Sequence, residues 1–380
     1  MLRQDSKSNR LKVCVFVNVD WFILSHFTDY LAKIVAQNFD LTVLTLNTGR
    51  CDEIRSMGVR VIEIDLHRGY SNIFFECMTL MRVFSTIRKI SPDVLELVTV
   101  KPVIYGGLVA KLLKIKKTVF YMSGLGVLFT SETFFGFIKS KIVTLLYKFI
   151  MYSDSIKVIV ENDDDQNMFE SVVGLKSEKI HVISGVGVDL HEFSPRLGDR
   201  RANLRVALAS RLLYDKGILE FFSAAQICKT QFPDVEFLLV GDIDKTNPSS
   251  LSDQDLEKLC EKGVVEAMGH RADMANLLKT IDIFVLPSYR EGFPKVIMEA
   301  AATGLPVVTT NVTGCRSAVI DNRTGIIVPP KNVEALAIAI TKLITSPTIR
   351  AELAQNARIH AEKKFDVNIL THNHISVWDS

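Results

Sequence analysis

Two carboxylates eight residues apart, Glu291 and Glu299, stand in the stretch SYREGFPKVIMEAAATGLPVV, which runs from Ser288 to Val308. Gly-Phe-Pro follows the first and Ala-Ala-Ala-Thr-Gly the second. The residues before them, IDIFVLPS (281–288), read as a buried strand, and KVIMEAAATG reads as the helix behind the loop. The first-turn N–H groups of such a helix have no intrahelical partner and suit an anion, phosphate above all. Gly292 admits close backbone approach and Pro294 fits the first helical turn. Glu291 then lies just ahead of an anion site, and Glu299 lies about one and a half turns into the helix. The plainer alternative makes Glu291 a helix cap and Glu299 a solvated acid.

A second strand-end loop, SRLLYDKG (210–217), carries Arg211 and Lys216. Two cations placed opposite that helix terminus complete a site for a diphosphate; alone, they describe a solvated loop. Two acidic clusters, Asp242–Asp244 and Asp163–Asp165, have the look of metal ligands. Asp163 to Asp165 fit a helix N-cap and first turn, where the dipole favours acids, and Asp242 opens a polar loop. No metal is expected at either.

In the first half, NVDWFILSHF places Asp20, Ser25 and His26 where a strand turns into a helix. His26 is a candidate for proton transfer or substrate contact, or a structural residue at a helix start. YMSGLG (121–126) ends another strand, and its Ser123–Gly124 turn allows a ligand near the backbone. In TFFGFIKSKIVTLLYKFIMY (133–152), Lys141, Thr144 and Lys148 share one helical face. This is either a core helix with a narrow wet face or an interfacial segment with lysines toward lipid headgroups.

The elements that must hold these residues alternate strand and helix. KVCVFVNV (12–19), LTVLTL (41–46), VRVIEIDL (59–66), PDVLELVT (92–99), KTVFYMSG (117–124) and KVIVEN (157–162) are strands with helices between them, one over 25–39 with Ser25 as its cap. Apolar runs of this kind belong to parallel strands buried on both faces. The pattern resets near residue 190 and repeats through RVALA, VEFLLVGD, VVEAMGH, IDIFVLPS, PVVTTNV and TGIIVPP. Two doubly wound, Rossmann-like α/β domains are expected, 1–190 and 191–365, with 366–380 as a C-terminal tail. In such sheets ligands bind beyond the carboxyl ends of the strands.

Composition narrows the function. A formal net charge of +2 over 380 residues gives no reason to expect nucleic acid. Locally, eight lysines fall between Lys101 and Lys148 against one acid, Glu132. The six cysteines form no CxxC and read as reduced thiols of a cytoplasmic protein. No stretch is long and apolar enough to span a membrane.

Taken together, these residues resemble the retaining glycosyltransferases of family 4, which use nucleotide sugars and have the GT-B fold. Glu291 and Glu299 meet that family's E-x7-E pattern, RLLYDKG its Arg/Lys phosphate loop, and VLPSYREGFPKVIMEAAATGLPVVTTNVTGCRSAVIDNRTGIIVPP its donor segment. DWFILSH and YMSGLG resemble the subgroup that builds capsule and O-antigen on polyprenyl diphosphate. The resemblance implies that Arg211 and Lys216 neutralise the donor diphosphate, that Glu291 binds donor-sugar hydroxyls, and that the Gly292–Phe293–Pro294 backbone contacts sugar and phosphates. It implies that Glu299 binds the ribose, that Arg271 lies near the base, and that His26, Ser123 and Gly124 line the acceptor or sugar side. It also implies a UDP-sugar as co-substrate, a lipid-linked saccharide acceptor, no metal, and a peripheral position at the inner face of the cytoplasmic membrane. The competing reading on the same architecture is a UDP-sugar 2-epimerase.

Overall fold

The computed structural model describes residues 10–66, 73–124, 134–153, 155–196, 202–245 and 247–379. The chain divides into two compact units, one of Met1–Val186 with Thr371–Ser380, the other Gly187–Leu370.

The first unit holds a seven-stranded sheet in the order β3-β2-β1-β4-β5-β6-β7. Its strands are β1 (Lys12–Val19), β2 (Asp40–Leu46), β3 (Arg60–Glu63), β4 (Val94–Val98), β5 (Lys117–Met122), β6 (Ile156–Val160) and β7 (Ile180–Val182). All neighbours are parallel. The central strands are mostly apolar and buried on both faces, with Glu96 the charged exception in β4, as helices on each side of a parallel sheet require. The second unit repeats the design with six strands, β8 (Arg205–Ala209), β9 (Glu236–Val240), β10 (Glu266–Gly269), β11 (Ile283–Leu286), β12 (Val307–Thr310) and β13 (Gly325–Val328), in the order β10-β9-β8-β11-β12-β13. Its core lies in two layers, one on each side of that sheet.

Three expectations need correction here. The helix after β1 starts at Asp20, not at Ser25: it runs through Asp20–Phe22, a wide π turn at Ile23–Phe27, and Thr28–Ala36. Ser25 therefore sits inside it, its Oγ donating to the Phe22 carbonyl at 3.2 Å instead of capping the helix. The division falls at Gly187, slightly ahead of residue 190. Residues 366–380 are no tail, because Val367–Asp379 is a helix and its part from Thr371 onward belongs to the first unit. His374 and Trp378 are fully buried there. Burial of a Trp and a His this complete is what holds the segment in place.

His374 enters a polar cluster inside the first unit. Its Nε2 lies 3.0 Å from the Gly185 carbonyl, and its ring packs on Tyr30 and Tyr121 at centroid distances of 5.1 and 5.3 Å. The Tyr30 hydroxyl donates to Glu96 Oε2 at 2.8 Å, and the Tyr121 hydroxyl to Glu161 Oε1 at 2.7 Å. Burial pushes the Glu96 carboxyl up to about 7, despite the hydrogen bond from Tyr30 that favours its ionised form. Burial pushes the His374 imidazole down to about 4, so it is neutral.

Glu96 therefore makes stability depend on pH in a definite direction. The folded chain keeps its proton up to about pH 7, whereas the unfolded chain releases it near the ordinary carboxylate value, so its contribution is full below that value, declines as pH rises above it, and is gone once pH passes about 7. Glu96→Gln is expected to match the wild type near pH 4 and to exceed it near pH 8 by roughly 3 kcal/mol. Urea unfolding at both pH values checks this. A difference that does not change with pH would show that Glu96 does not titrate on folding.

Candidate active site

The second unit brings the main sequence candidates to one end of its sheet. β8 and β11 are paired in parallel, with Ile283 opposite Val206 and Phe284 opposite Ala207. Their carboxyl-end loops are therefore neighbours. Lys216 Nζ, from the loop after β8, lies 2.6 Å from Glu291 Oε1, from the loop after β11. Both side chains are mostly shielded, 18% and 11% exposed. A carboxylate and an ammonium this close, from segments 75 residues apart, form one polar site and not two solvated loops.

The two loops are stitched at Asp215, which spacing alone did not single out. Its carbonyl accepts the Tyr289 N–H at 2.8 Å and the Ser288 hydroxyl at 3.1 Å, and its carboxylate takes Arg290 at 3.2 Å. Two glycines permit the stitching. Gly217 has φ +72°, and a Cβ there would stand 2.1 Å from the Pro287 carbonyl oxygen. A Cβ on Gly314 would stand 2.2 Å from the Gly292 oxygen, so the helix Thr313–Ala318 presses directly on the Glu291–Gly292 backbone. The Thr310 hydroxyl also donates to the Ser288 carbonyl. Cys315 lies behind this backbone, fully buried, and burial together with the nearby Glu291 charge pushes its thiol up to about 12, which makes it inert.

Pro294 is the residue just before the helix Lys295–Ala302, one position ahead of the expected first turn. Phe293 turns its ring into the core, 5.8 Å from that of Phe365, so it anchors the loop and leaves only backbone to face outward. Glu299 is largely shielded, with Lys295 Nζ at 3.8 Å one turn earlier. This overturns the solvated-acid alternative, since a surface acid would not be held to 13% exposure.

The loop after β9 supports the loop after β8. Leu212 N–H donates to the Asp242 carbonyl at 3.0 Å, Leu251 N–H to the Leu212 carbonyl at 2.8 Å, and Tyr214 N–H to the Ser249 carbonyl at 2.8 Å. Both acids of the Asp242-Ile243-Asp244 cluster have protein partners. Asp242 Oδ1 accepts the His270 N–H at 3.1 Å, and Asp244 Oδ2 receives Arg211 Nη1 at 3.0 Å. Arg211 is half exposed and Asp244 aims its guanidinium. Arg271 is at the same sheet end, after β10, but its fork is closed on Asp273 at 2.8 and 2.7 Å. The Asp163–Asp165 cluster is the first turn of the helix Asp163–Met168, with Asn162 as its cap accepting the Asp165 N–H at 2.8 Å. Among the described residues no group of three His, Cys, Asp or Glu is arranged to hold a metal ion.

In the first unit His26, Ser123 and Gly124 all follow carboxyl ends of strands. His26 sits in the π turn after β1, its Nδ1 2.6 Å from Ser25 Oγ and its ring stacked on Phe22 at 4.4 Å. Gly124 has φ +78° and closes a tight turn on the Met122 carbonyl after β5. Between them in the sheet, β4 is followed directly by Thr99, whose φ of +73° and ψ of 165° fall in a region that only glycine occupies readily. Strain of this kind in a β-branched residue is costly and concentrates at functional edges; no sequence signal announced it. Asp20, by contrast, is structural. Its buried carboxylate accepts N–H groups of Trp21, Thr48 and Arg50 at 2.7, 2.7 and 2.9 Å, which fasten the loops after β1 and β2.

Solved structures share this architecture over nearly the whole chain. A glycosyltransferase from Rickettsia africae ESF-5 aligns with a TM-score of 0.79 at 19% identity, covering 98% of each chain. The Anabaena protein HepE in complex with UDP and glucose aligns with a TM-score of 0.77 at 20% identity, covering 98% of this chain and 100% of that one. The fold is that of the GT-B glycosyltransferases. The model of the glycosyl transferases group 1 matches residues 194–360, and that of the glycosyl transferase 4-like family matches residues 12–162. A Campylobacter jejuni protein, the N,N'-diacetylbacillosaminyl-diphospho-undecaprenol alpha-1,3-N-acetylgalactosaminyltransferase, is 30% identical over 339 residues, 86% of this chain and 87% of that protein. The Escherichia coli UDP-Gal:alpha-D-GlcNAc-diphosphoundecaprenol alpha-1,3-galactosyltransferase is 25% identical over 346 residues, 87% of this chain and 86% of that protein. The chain belongs to this family of glycosyltransferases and is an enzyme. Nothing in these likenesses supports the epimerase reading.

Proposed function

We propose that the enzyme moves an N-acetylhexosamine, with retention, from a UDP-sugar to a saccharide carried on polyprenyl diphosphate. The observation that carries the reading is the Lys216–Glu291 pair at a strand-end helix start. Departure of UDP builds negative charge on the β-phosphate and positive charge on the sugar. Lys216, Arg211 and the N–H groups at the start of Lys295–Ala302 are placed to meet the first, and Glu291 to meet the second and bind sugar hydroxyls. Glu299 serves the ribose and Arg271 the base, the latter after releasing Asp273. The acceptor enters on the first unit beside His26, Ser123 and Gly124. The lipid-linked acceptor supports a peripheral position at the inner face of the cytoplasmic membrane.

No metal is required in this scheme. The Asp242 and Asp244 carboxylates are engaged by His270 and Arg211, and fixed cations replace a bound ion at the diphosphate. The donor is chosen by a few hydroxyl contacts, which discriminate strongly between sugars. The name of the Campylobacter relative supports an N-acetylhexosamine, and that of the Escherichia relative supports UDP as carrier.

The test is UDP release from a panel of UDP-sugars, with a short-chain polyprenyl-diphosphate saccharide as acceptor, with and without EDTA. Acceptor-dependent release that survives EDTA and is strongest with a UDP-N-acetylhexosamine is the expected result. Abolition by EDTA would refute metal independence, and preference for UDP-galactose or UDP-glucose would refute the donor.

A further inference from the structure

Four side chains join the same two segments of the second unit in two rungs. The first segment is Lys216 with the opening of the helix Ile218–Gln231, and the second is the loop that carries Tyr289 and Glu291 after β11. One rung is the Lys216–Glu291 pair. The other is the Tyr289 hydroxyl, which donates to Glu220 Oε1. Lys216 and Glu220 are four residues apart along one segment, and Tyr289 and Glu291 are two apart along the other, so the rungs are neighbours.

The second rung is firmly built. Glu220 lies in the first turn of its helix, where the dipole favours a carboxylate. A hydroxyl donating to an ionised acceptor makes one of the stronger hydrogen bonds. Burial, together with the Glu220 charge, pushes the Tyr289 phenol well above its ordinary value, so the hydroxyl keeps the proton it donates. Lys331 covers the ring, its Nζ 4.8 Å from the centre. The Tyr289 N–H is fixed on the Asp215 carbonyl at 2.8 Å, and two residues on, the Gly314 N–H donates to the Glu291 carbonyl at 3.3 Å. Glu220 Oε2 is buried and has no partner among the described residues. A buried carboxylate oxygen left in that state destabilises the fold, so stability alone does not explain why Glu220 stands there.

The first rung is weakened during the proposed reaction. Lys216 must meet the β-phosphate and Glu291 the sugar, so the donor competes for both ends of their bond. We infer that Tyr289 is a positioning residue for sugar transfer: its hydroxyl, held by Glu220, keeps the Glu291 loop in register with the Lys216 segment while the donor engages Lys216 and Glu291. The inference rests on the proposed donor reading of that pair and names the contact that holds it. Tyr289 needs no contact with substrate in this role. A misplacement of about 1 Å between reacting groups is enough to cost on the order of 10²-fold in rate.

The test is UDP release by the full chain from a UDP-N-acetylhexosamine to the short-chain acceptor, with calorimetry on UDP alone. Tyr289→Phe removes the hydroxyl and leaves the ring beneath Lys331. It is expected to lower kcat by about tenfold or more while the Kd for UDP stays within about twofold of the wild type. Glu220→Gln keeps an oxygen to accept the hydroxyl and should retain at least about half of the wild-type kcat, whereas Glu220→Ala should fall with Tyr289→Phe. The double variant Tyr289→Phe/Glu220→Ala should be no slower than the slower single variant, because both changes cut one bond. Wild-type kcat in Tyr289→Phe overturns the inference. So does a Glu220→Gln as slow as Glu220→Ala, which would make charge and not the hydrogen bond the cause, or a loss of UDP affinity in Tyr289→Phe that matches the loss of rate. Lys216→Ala and Glu291→Ala, assayed alongside, separate the two claims. If both are slow and Tyr289→Phe is not, only the positioning role falls; if both turn over near-normally, the donor reading falls and takes this inference with it.

Discussion

Replacing Lys216 by alanine is expected to lower kcat/KM for sugar transfer by about 10²–10³-fold, the usual cost of losing one group that stabilises developing charge. The geometry makes this the most exposed point of the mechanism. The Lys216 ammonium has three N–H donors, and Glu291 takes one at 2.6 Å. The others remain to meet the departing β-phosphate. Truncation does double damage: it removes that stabilisation, and it leaves the Glu291 carboxylate, only 11% exposed, without its counter-charge beside an incoming diphosphate. UDP affinity should fall along with the rate. In a double-mutant cycle with Glu291→Gln the two losses should be strongly non-additive. Near-normal turnover of Lys216→Ala, measured by steady-state UDP release, would remove the donor site from this loop.

Glu291→Ala is expected to abolish transfer, a loss of about 10³-fold or more, while UDP still binds as well as before or slightly better. The sign follows from the same pair. Removing the carboxylate frees Lys216, so the diphosphate meets more net positive charge, whereas the sugar loses its hydroxyl acceptor. Calorimetry with UDP alone and kinetics with the full donor separate the two effects. Loss of UDP binding would mean instead that Glu291 acts mainly by holding Lys216 in place.

Much of this site was legible in the residues themselves, because each key group sits within a few positions of a strand end. Apolar runs located β1, β4, β8 and β11, that of β4 broken only by Glu96, and Gly292 with Pro294 marked the loop before a helix. What escaped is whatever depends on a partner distant in the chain. Asp215 looks like any polar loop residue until β8 and β11 lie side by side and their loops need a common acceptor. Gly314 matters only because its helix presses on the Glu291–Gly292 backbone, and Thr99 only because the chain must turn sharply after β4. The segment from 366 onward looked like a divergent tail because its period is weak and its polar residues numerous. His374 and Thr371 are in fact buried, His374 with its Nε2 at the Gly185 carbonyl.

That last helix has a consequence for the order of assembly. Synthesis of the first unit begins before that of the second, yet residues that fill its core around Tyr30 and Tyr121 follow the whole of the second unit in the chain. Until His374 and Trp378 leave the ribosome, the nascent first unit carries an open apolar hollow and two buried-to-be carboxyls with no lid. The second unit, continuous from Gly187 to Leu370, meanwhile has everything it needs. The usual amino-first sequence of domain folding is thus inverted in its final step: the half whose synthesis starts first gains the last of its core only after the other half has been made.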